Sequence, residues 1–213
     1  MSVPGSPASE AAGAACFGQV QGSTSPNYLP GSLQVPTLDT TGAQKSSNEG
    51  MKATYSAATA AYAPYANAAD IVNISGSASK KVRVLRIAVS GRASAANQLD
   101  VTVTKRASAN SGGSPTALIA VPHDSGDGAA TAAVVAYSAA PTPGTPIGMI
   151  RAVQSNVSAA GSGGAATPVE FDFGWCNDKT LVLNGAAENL SVGLNGTVPA
   201  GTVLNVFIEW TEE

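Results

Sequence analysis

Few side chains in this 213-residue chain are equipped for chemistry, and their spacing limits what each can do. The single histidine, His123, stands in Pro122-His123-Asp124-Ser125-Gly126-Asp127-Gly128. A metal site would draw on His123, Asp124 and Asp127. A calcium loop needs acids at alternate positions and a distal glutamate, which this run lacks. Zinc would need at least one more ligand from elsewhere in the chain. The run reads instead as an Asx-rich turn. His123 is also the one candidate base for a serine or cysteine nucleophile, but no Gly-x-Ser-x-Gly elbow stands before a helix. Cys16 and Cys176 lie far apart in unlike contexts and read as unpaired thiols, as in a reducing cytoplasm. Cys176 follows Trp175 after an apolar run, where a free cysteine behaves as a small hydrophobe. Glu170 and Asp172 fall on one strand face about 7 Å apart, a separation compatible with glycoside hydrolysis. No aromatic sugar platform accompanies them, so they read as a solvated or interface-facing strand edge. No glycine-rich phosphate loop is present. The expectation is no catalytic residue, no metal, no cofactor and no enzyme.

The elements that would position these groups are strands. In the last run, Leu204, Val206, Ile208 and Trp210 point one way and Asn205, Glu209 and Thr211 the other, with Phe207 as the exception. Leu190, Val192 and Leu194 alternate in the same way with Ser191, Gly193 and Asn195. Asn195-Gly196 and Pro199-Ala200-Gly201 supply the turns between these runs. Upstream, residues 53–59, 69–75, 81–90, 99–106, 131–138, 147–154, 169–173 and 180–184 carry further strand signals. The run 81–90 slips phase between Val84 and Leu85, which predicts a bulge or a strand covered on both faces. Residues 108–127 read as a long loop holding a short apolar piece at 118–121. The Ala-rich stretch 56–69 is the one place where a helix competes, and Pro64 with its Thr and Ser content weakens it. Nine or ten short strands at this spacing predict an all-β antiparallel sandwich, in particular a jelly roll.

Residues 1–50 are different. Pro4, Pro7, Pro26, Pro30 and Pro36 stand among Ser, Gly and Thr, and the first basic side chain is Lys45. Such a segment cannot build its own core. Its scattered large apolar residues predict an extended or flexible arm at 1–50 that orders against a neighbour, ahead of a sandwich domain at 51–213. The candidate partner-interface residues are Phe17, Tyr28, Leu29, Leu33 and Leu38.

Only 12% of the residues are charged, about half the usual share for a soluble domain, which reads either as surfaces covered by partners or as a genome that favours Ala and Gly. The net charge of −3 argues against nucleic acid. Lys80, Lys81, Arg83 and Arg86 form the one basic cluster. Simple alternation puts Lys81 and Arg83 on one face and Arg86 on the other, which is not a groove. No apolar run is long enough to span a membrane, and no secretory signal is evident. The sequons at Asn73, Asn156, Asn189 and Asn195 therefore carry no expectation of glycans.

Several stretches carry a resemblance. They are Val82-Arg83-Val84-Leu85-Arg86-Ile87-Ala88-Val89-Ser90-Gly91, Val103-Thr104-Lys105-Arg106, and Ala117-Leu118-Ile119-Ala120-Val121-Pro122-His123-Asp124-Ser125. Phe171-Asp172-Phe173-Gly174, Asn177-Asp178-Lys179-Thr180-Leu181-Val182-Leu183-Asn184-Gly185-Ala186-Ala187-Glu188 and Ile208-Glu209-Trp210-Thr211-Glu212-Glu213 complete the set. Over roughly 52–213 the chain resembles a family of small structural proteins of tailed bacteriophages and prophages, similar to jelly-roll cement or decoration proteins. The resemblance implies a virion protein made in the bacterial host cytoplasm and placed on the capsid surface. Its implied partners are the major capsid protein or other virion proteins and copies of itself, with a homotrimer as the expected state. The alternative placements are a head fibre, a neck protein or a tail-fibre module that binds a glycan receptor, with Trp175 as the exposed aromatic. The family carries no catalytic residues.

Overall fold

The computed structural model describes residues 18–19, 33–34, 52–66, 69–161, 167–174 and 179–213. The chain divides into two compact units, Met1–Met51 and Lys52–Glu213. In the first, strands β1 (Gly18–Gln19) and β2 (Leu33–Gln34) pair antiparallel. Of the expected arm residues, Leu33 lies in β2. Its side chain, together with Phe17, Tyr28, Leu29 and Leu38, falls outside the described residues.

The second unit is all β, and no helix occurs among its described residues. Its strands are β3 (Ala53–Tyr62), β4 (Asp70–Ser75), β5 (Val82–Ala93), β6 (Asn97–Arg106), β7 (Ser111–Gly112), β8 (Pro115–Leu118) and β9 (Val121–Pro122). They continue with β10 (Ala133–Tyr137), β11 (Pro141–Thr142), β12 (Pro146–Ala159), β13 (Val169–Asp172), β14 (Leu181–Leu183), β15 (Asn189–Leu194) and β16 (Val203–Glu212). The main path runs β8-β10-β4-β15-β6-β12-β5-β16-β3-β9, with β13 and β14 both on β5. β12 joins the two halves of this path. It pairs antiparallel with β6 over most of its length and parallel with β5 only at Ser158 and Ala159. Every other neighbour pair is antiparallel. The all-β class stands. The jelly-roll order is not confirmed, because all strands of this unit but β7 and β11, which pair with each other, form one curled mixed sheet rather than two separately closed ones.

Alternation places the core as expected in β16, where Leu204, Val206, Ile208 and Trp210 are all buried. In β6, Leu99, Val101 and Val103 are buried likewise. The phase slip in β5 is a bulge. Glu209 of β16 stands opposite Arg86 and Trp210 opposite Val84, so Leu85 has no partner across the ladder. The bulge shifts the inward set from Val82 and Val84 to Ile87 and Val89. Arg86 therefore faces outward with Arg83, contrary to simple alternation. The stretch at 56–69 extends β3 to Tyr62, and its described residues form no helix.

β15 and β4 depart from the half-buried pattern. All six residues of β15 are buried, as are Asp70 to Ile74 of β4. The excursion between β6 and β12, read in part as a loop, contains β7 to β11. Buried polar groups link it to β4. The Arg106 guanidinium holds the Asp70 carboxylate through Nε at 2.7 Å and Nη2 at 2.8 Å, and donates to the Gly144 carbonyl at 2.9 Å. Asn110 donates to Asp70 and accepts from the Gly144 amide. Gly144 is required there, since a Cβ would sit 1.9 Å from the Ser108 carbonyl oxygen. Within the ladder, Asn73 donates to the Ser191 hydroxyl.

A second polar anchor closes the opposite half. The Glu212 carboxylate, buried at the end of β16, accepts from the Thr131 amide and hydroxyl, the Ala132 amide and the Trp210 indole. Desolvation alone would raise its pKa, but these donors pull it below the ordinary 4.5. Trp210 stacks on Tyr55 with ring centroids 5.9 Å apart, and the Tyr55 hydroxyl donates to the Gly128 carbonyl.

Two predictions follow from these anchors. Arg106→Ala strands the Asp70 carboxylate in a dry site and should cost about 3–5 kcal/mol in urea unfolding at neutral pH. Glu212→Gln should cost about 2–3 kcal/mol by the same measurement. Because the folded pKa of Glu212 is depressed, its contribution is complete above the unfolded-state value near 4.5 and is lost as pH falls through the folded value. The stability difference between wild type and Glu212→Gln should therefore shrink progressively below that pH.

Candidate functional site

The edge of β5 shapes a concavity of the second unit. β13 pairs with β5 from Val169 to Asp172 and β14 from Leu181 to Leu183, so both occupy the edge that β12 touches only at its far end. Near that end β12 is tied to the chain entering β13: the Thr167 amide donates to the Asn156 carbonyl at 3.1 Å, and the Ser155 hydroxyl to the Thr167 carbonyl at 2.9 Å. Further back along β12 no described residue bridges the two by main-chain pairing, and a groove of about 730 Å³ lies between them.

Five of the chain's 11 basic side chains line this groove, against one acid, Asp172. Lys81 directly precedes β5 and Arg83 lies at its start, Lys105 comes from β6, Arg151 from β12 and Lys179 from the approach to β14. Ile150, Phe173, Leu181 and Val182 provide apolar wall between the charges. Two of the cations are already engaged. Arg83 pairs with Glu213, which also meets Lys52 at 2.9 Å. Lys105 pairs with Glu188 at 2.8 Å and donates to the Val182 carbonyl at 2.9 Å, holding β14 to β6 across the groove. Burial works against the charged Glu188 carboxylate, but Lys105 and the Asn184 amide outweigh it and lower its pKa. The hydrogen bonds from Lys52 and Arg83 lower that of Glu213.

The other three cations are exposed and make no ion pair among the described residues. Arg151 lies over the Phe173 ring, 5.8 Å from its centroid, which holds the guanidinium at the groove wall. Lys81 and Lys179 line the same groove. Thr180 adds a further feature. Its hydroxyl is buried in the lining without a hydrogen-bond partner, alone in this among the described side chains.

This groove was not legible as a cluster in the sequence. Lys81 and Arg83 were visible as neighbours on one strand face, whereas Lys105, Arg151 and Lys179 are brought to them by pairing across both halves of the sheet. Of the residues singled out for chemistry, Asp172 alone reaches the groove, and it also meets Arg86 at 3.6 Å. Glu170 and Asp172 do share the exposed face of β13. His123, Asp124 and Asp127 form the turn their spacing suggested: the Gly126 amide donates to the Asp124 carboxylate at 2.8 Å and the Asp127 amide to the Asp124 carbonyl at 3.0 Å. The His123 amide donates to the Thr54 carbonyl, which fixes the turn beside β3. Cys16, Trp175 and Cys176 lie outside the described residues.

No family model matches this chain, and no curated protein or solved structure matches it either.

The unpartnered Thr180 hydroxyl gives a direct test of the wall. Thr180→Val removes a buried polar atom that makes no bond and keeps the side-chain volume, so stability should be unchanged or rise by about 1 kcal/mol in thermal or urea unfolding. A clear loss would mean that the hydroxyl has a partner in solution.

Proposed function

We propose that this chain is a structural protein of a bacteriophage virion that decorates or cements the capsid by binding across neighbouring capsid subunits. The observation that carries this reading is the set of apolar side chains left outside the core. Ile147, Met149 and Val153 are exposed along β12, and Ile119 and Val121 are exposed in the excursion, Ile119 at 82%. Scattered apolar exposure is ordinary, but three such residues recur along one strand, Met149 opposite Thr104 and Val153 opposite Val101 on its other face, and leave apolar area available for burial against other chains. The low charge of the chain supports the same reading, as does the resemblance carried by residues 52–213.

In this reading the work is mechanical. The sheet supplies a rigid body with its own core, and its exposed apolar faces bury area against the capsid lattice. At roughly 25 cal/mol per Å² of apolar surface, an interface of about 800 Å² per partner is enough for stable attachment. The partners are the major capsid protein or other virion proteins, with further copies of this chain as a homotrimer. The N-terminal apolar residues Phe17, Tyr28, Leu29, Leu33 and Leu38 extend the contact. No catalytic step is involved.

Quantitative mass spectrometry of purified virions tests this. A fixed simple ratio to the major capsid protein is expected. A few copies per particle would move the chain to a neck, vertex or tail, and its absence from virions would end the reading. Deleting residues 1–50 should leave the unfolding transition of the remaining unit intact while abolishing capsid attachment. Full attachment by the truncated chain would remove the arm from the mechanism.

A further inference from the structure

We infer that the cationic groove between β12 and β13–β14 is a docking site for an acidic peptide segment of another protein, bound as an added strand along β12. The inference goes beyond the virion reading and does not depend on it. Three features carry it.

The first is charge. Lys81, Arg151 and Lys179 are exposed, without ion pairs among the described residues, and gathered on one concavity of a chain whose net charge is −3. The groove's own chemistry shows which anions it accommodates, since both of its engaged cations, Arg83 and Lys105, hold carboxylates. The second is backbone. Residues 147–154 of β12 hydrogen-bond to β6 on one side, and no described residue pairs with them on the other. An open strand edge is a template for a further strand, and main-chain hydrogen bonds then supply affinity while alternate side chains supply selectivity. The third is composition of the wall. Ile150, Phe173 and Leu181 lie between the cations, so an extended segment alternating acidic and apolar residues would meet charge and apolar surface in turn. A free small anion would use the first feature and leave the other two unused.

The probe is a fluorescent alternating Glu-Val peptide of about eight residues, the length of an ordinary strand, titrated against the full chain and followed by anisotropy. A Glu-Pro peptide of equal length and charge is the control, because proline cannot donate to a strand ladder. Inorganic phosphate and an oligothymidylate of equal charge are the competitors. The expected result is saturable binding of Glu-Val, at least about tenfold weaker binding of Glu-Pro, and weak competition by phosphate and oligothymidylate. The combined variant Lys81→Glu, Arg151→Glu, Lys179→Glu should lose the binding. These side chains are exposed, so its thermal midpoint should stay near that of wild type. Equal binding of Glu-Pro would overturn strand addition. Equal competition by phosphate or oligothymidylate would reduce the groove to an unselective anion site and overturn the peptide assignment. No binding of Glu-Val, or undiminished binding by the folded triple variant, would overturn the inference as a whole. Because the Glu-Val and Glu-Pro comparison uses unaltered protein, it decides the question even where the triple variant fails to fold.

Discussion

One buried carboxylate holds the two halves of this sheet in register. Glu212 ends the strand that pairs with β3 and β5, yet its oxygens are spent on Thr131 and Ala132, at the threshold of β10 in the other half. A carboxylate removed from water is costly unless its lone pairs are filled, and here backbone amides, a hydroxyl and an indole fill them. The constraint spreads from there. Trp210 must lie where its indole reaches Glu212, and Tyr55 stacks on it. The Tyr55 hydroxyl then fixes Gly128, a few residues before Thr131. Hydrophobic burial would bring these surfaces together in many orientations, because it has no direction. The polar clamp selects one.

The Asp70–Arg106 pair does the corresponding work on the other side. A buried ion pair is weak evidence for net stability, since desolvation offsets much of the attraction. Its value here is positional. The guanidinium fork fixes Asp70 with two bonds and Gly144 with a third, so the excursion between β6 and β12 has a defined place. That leaves β15 and β4 from Asp70 to Ile74 buried, and their polar residues Asn73 and Ser191 are joined by a hydrogen bond.

The legible part of the fold was what short-range alternation encodes. The inward sets of β16 and β6 could be read from alternation, although Thr211, expected on the outward face, is buried, and even the bulge at Leu85 left its mark as a slip of phase. What was not legible depends on contacts between residues far apart in the chain. Ser191 and Asn73 looked like an exposed strand face, because nothing local records that another segment reaches over it. Arg86 was assigned to the wrong face because the bulge, once present, inverts everything that follows it. The basic groove was invisible for the same reason: Lys81 and Lys179 are neighbours only because β14 folds back on β5, and Lys105 and Arg151 join them only through β6 and β12. The Asx turn at Asp124 was legible, since its hydrogen bonds span two or three residues.

A long strand that has no main-chain partner among the described residues along one side of 147–154 raises a problem that the details of β12 address. Such an edge invites pairing with any exposed strand, and Ile147, Met149 and Val153 would add apolar gain to that pairing. β12 is not a flat template. Its register against β6 shifts between Pro146 and Gly148 and again between Met149 and Arg151. Pro146 withholds an amide at its start, and Arg151 places a charge in its middle, held by Phe173. Bulges and inward-held charges are the devices by which sheets resist indiscriminate association. A second strand laid here must tolerate the irregular register and must also answer a cluster of positive charge. A neutral or basic strand fails the second condition by leaving Lys81, Arg151 and Lys179 partly desolvated and unpaired, whereas an acidic one relieves that cost. The features that blunt β12 against unselective pairing thus restrict the edge to a partner of one charge, and selectivity arises from what the edge repels as much as from what it attracts.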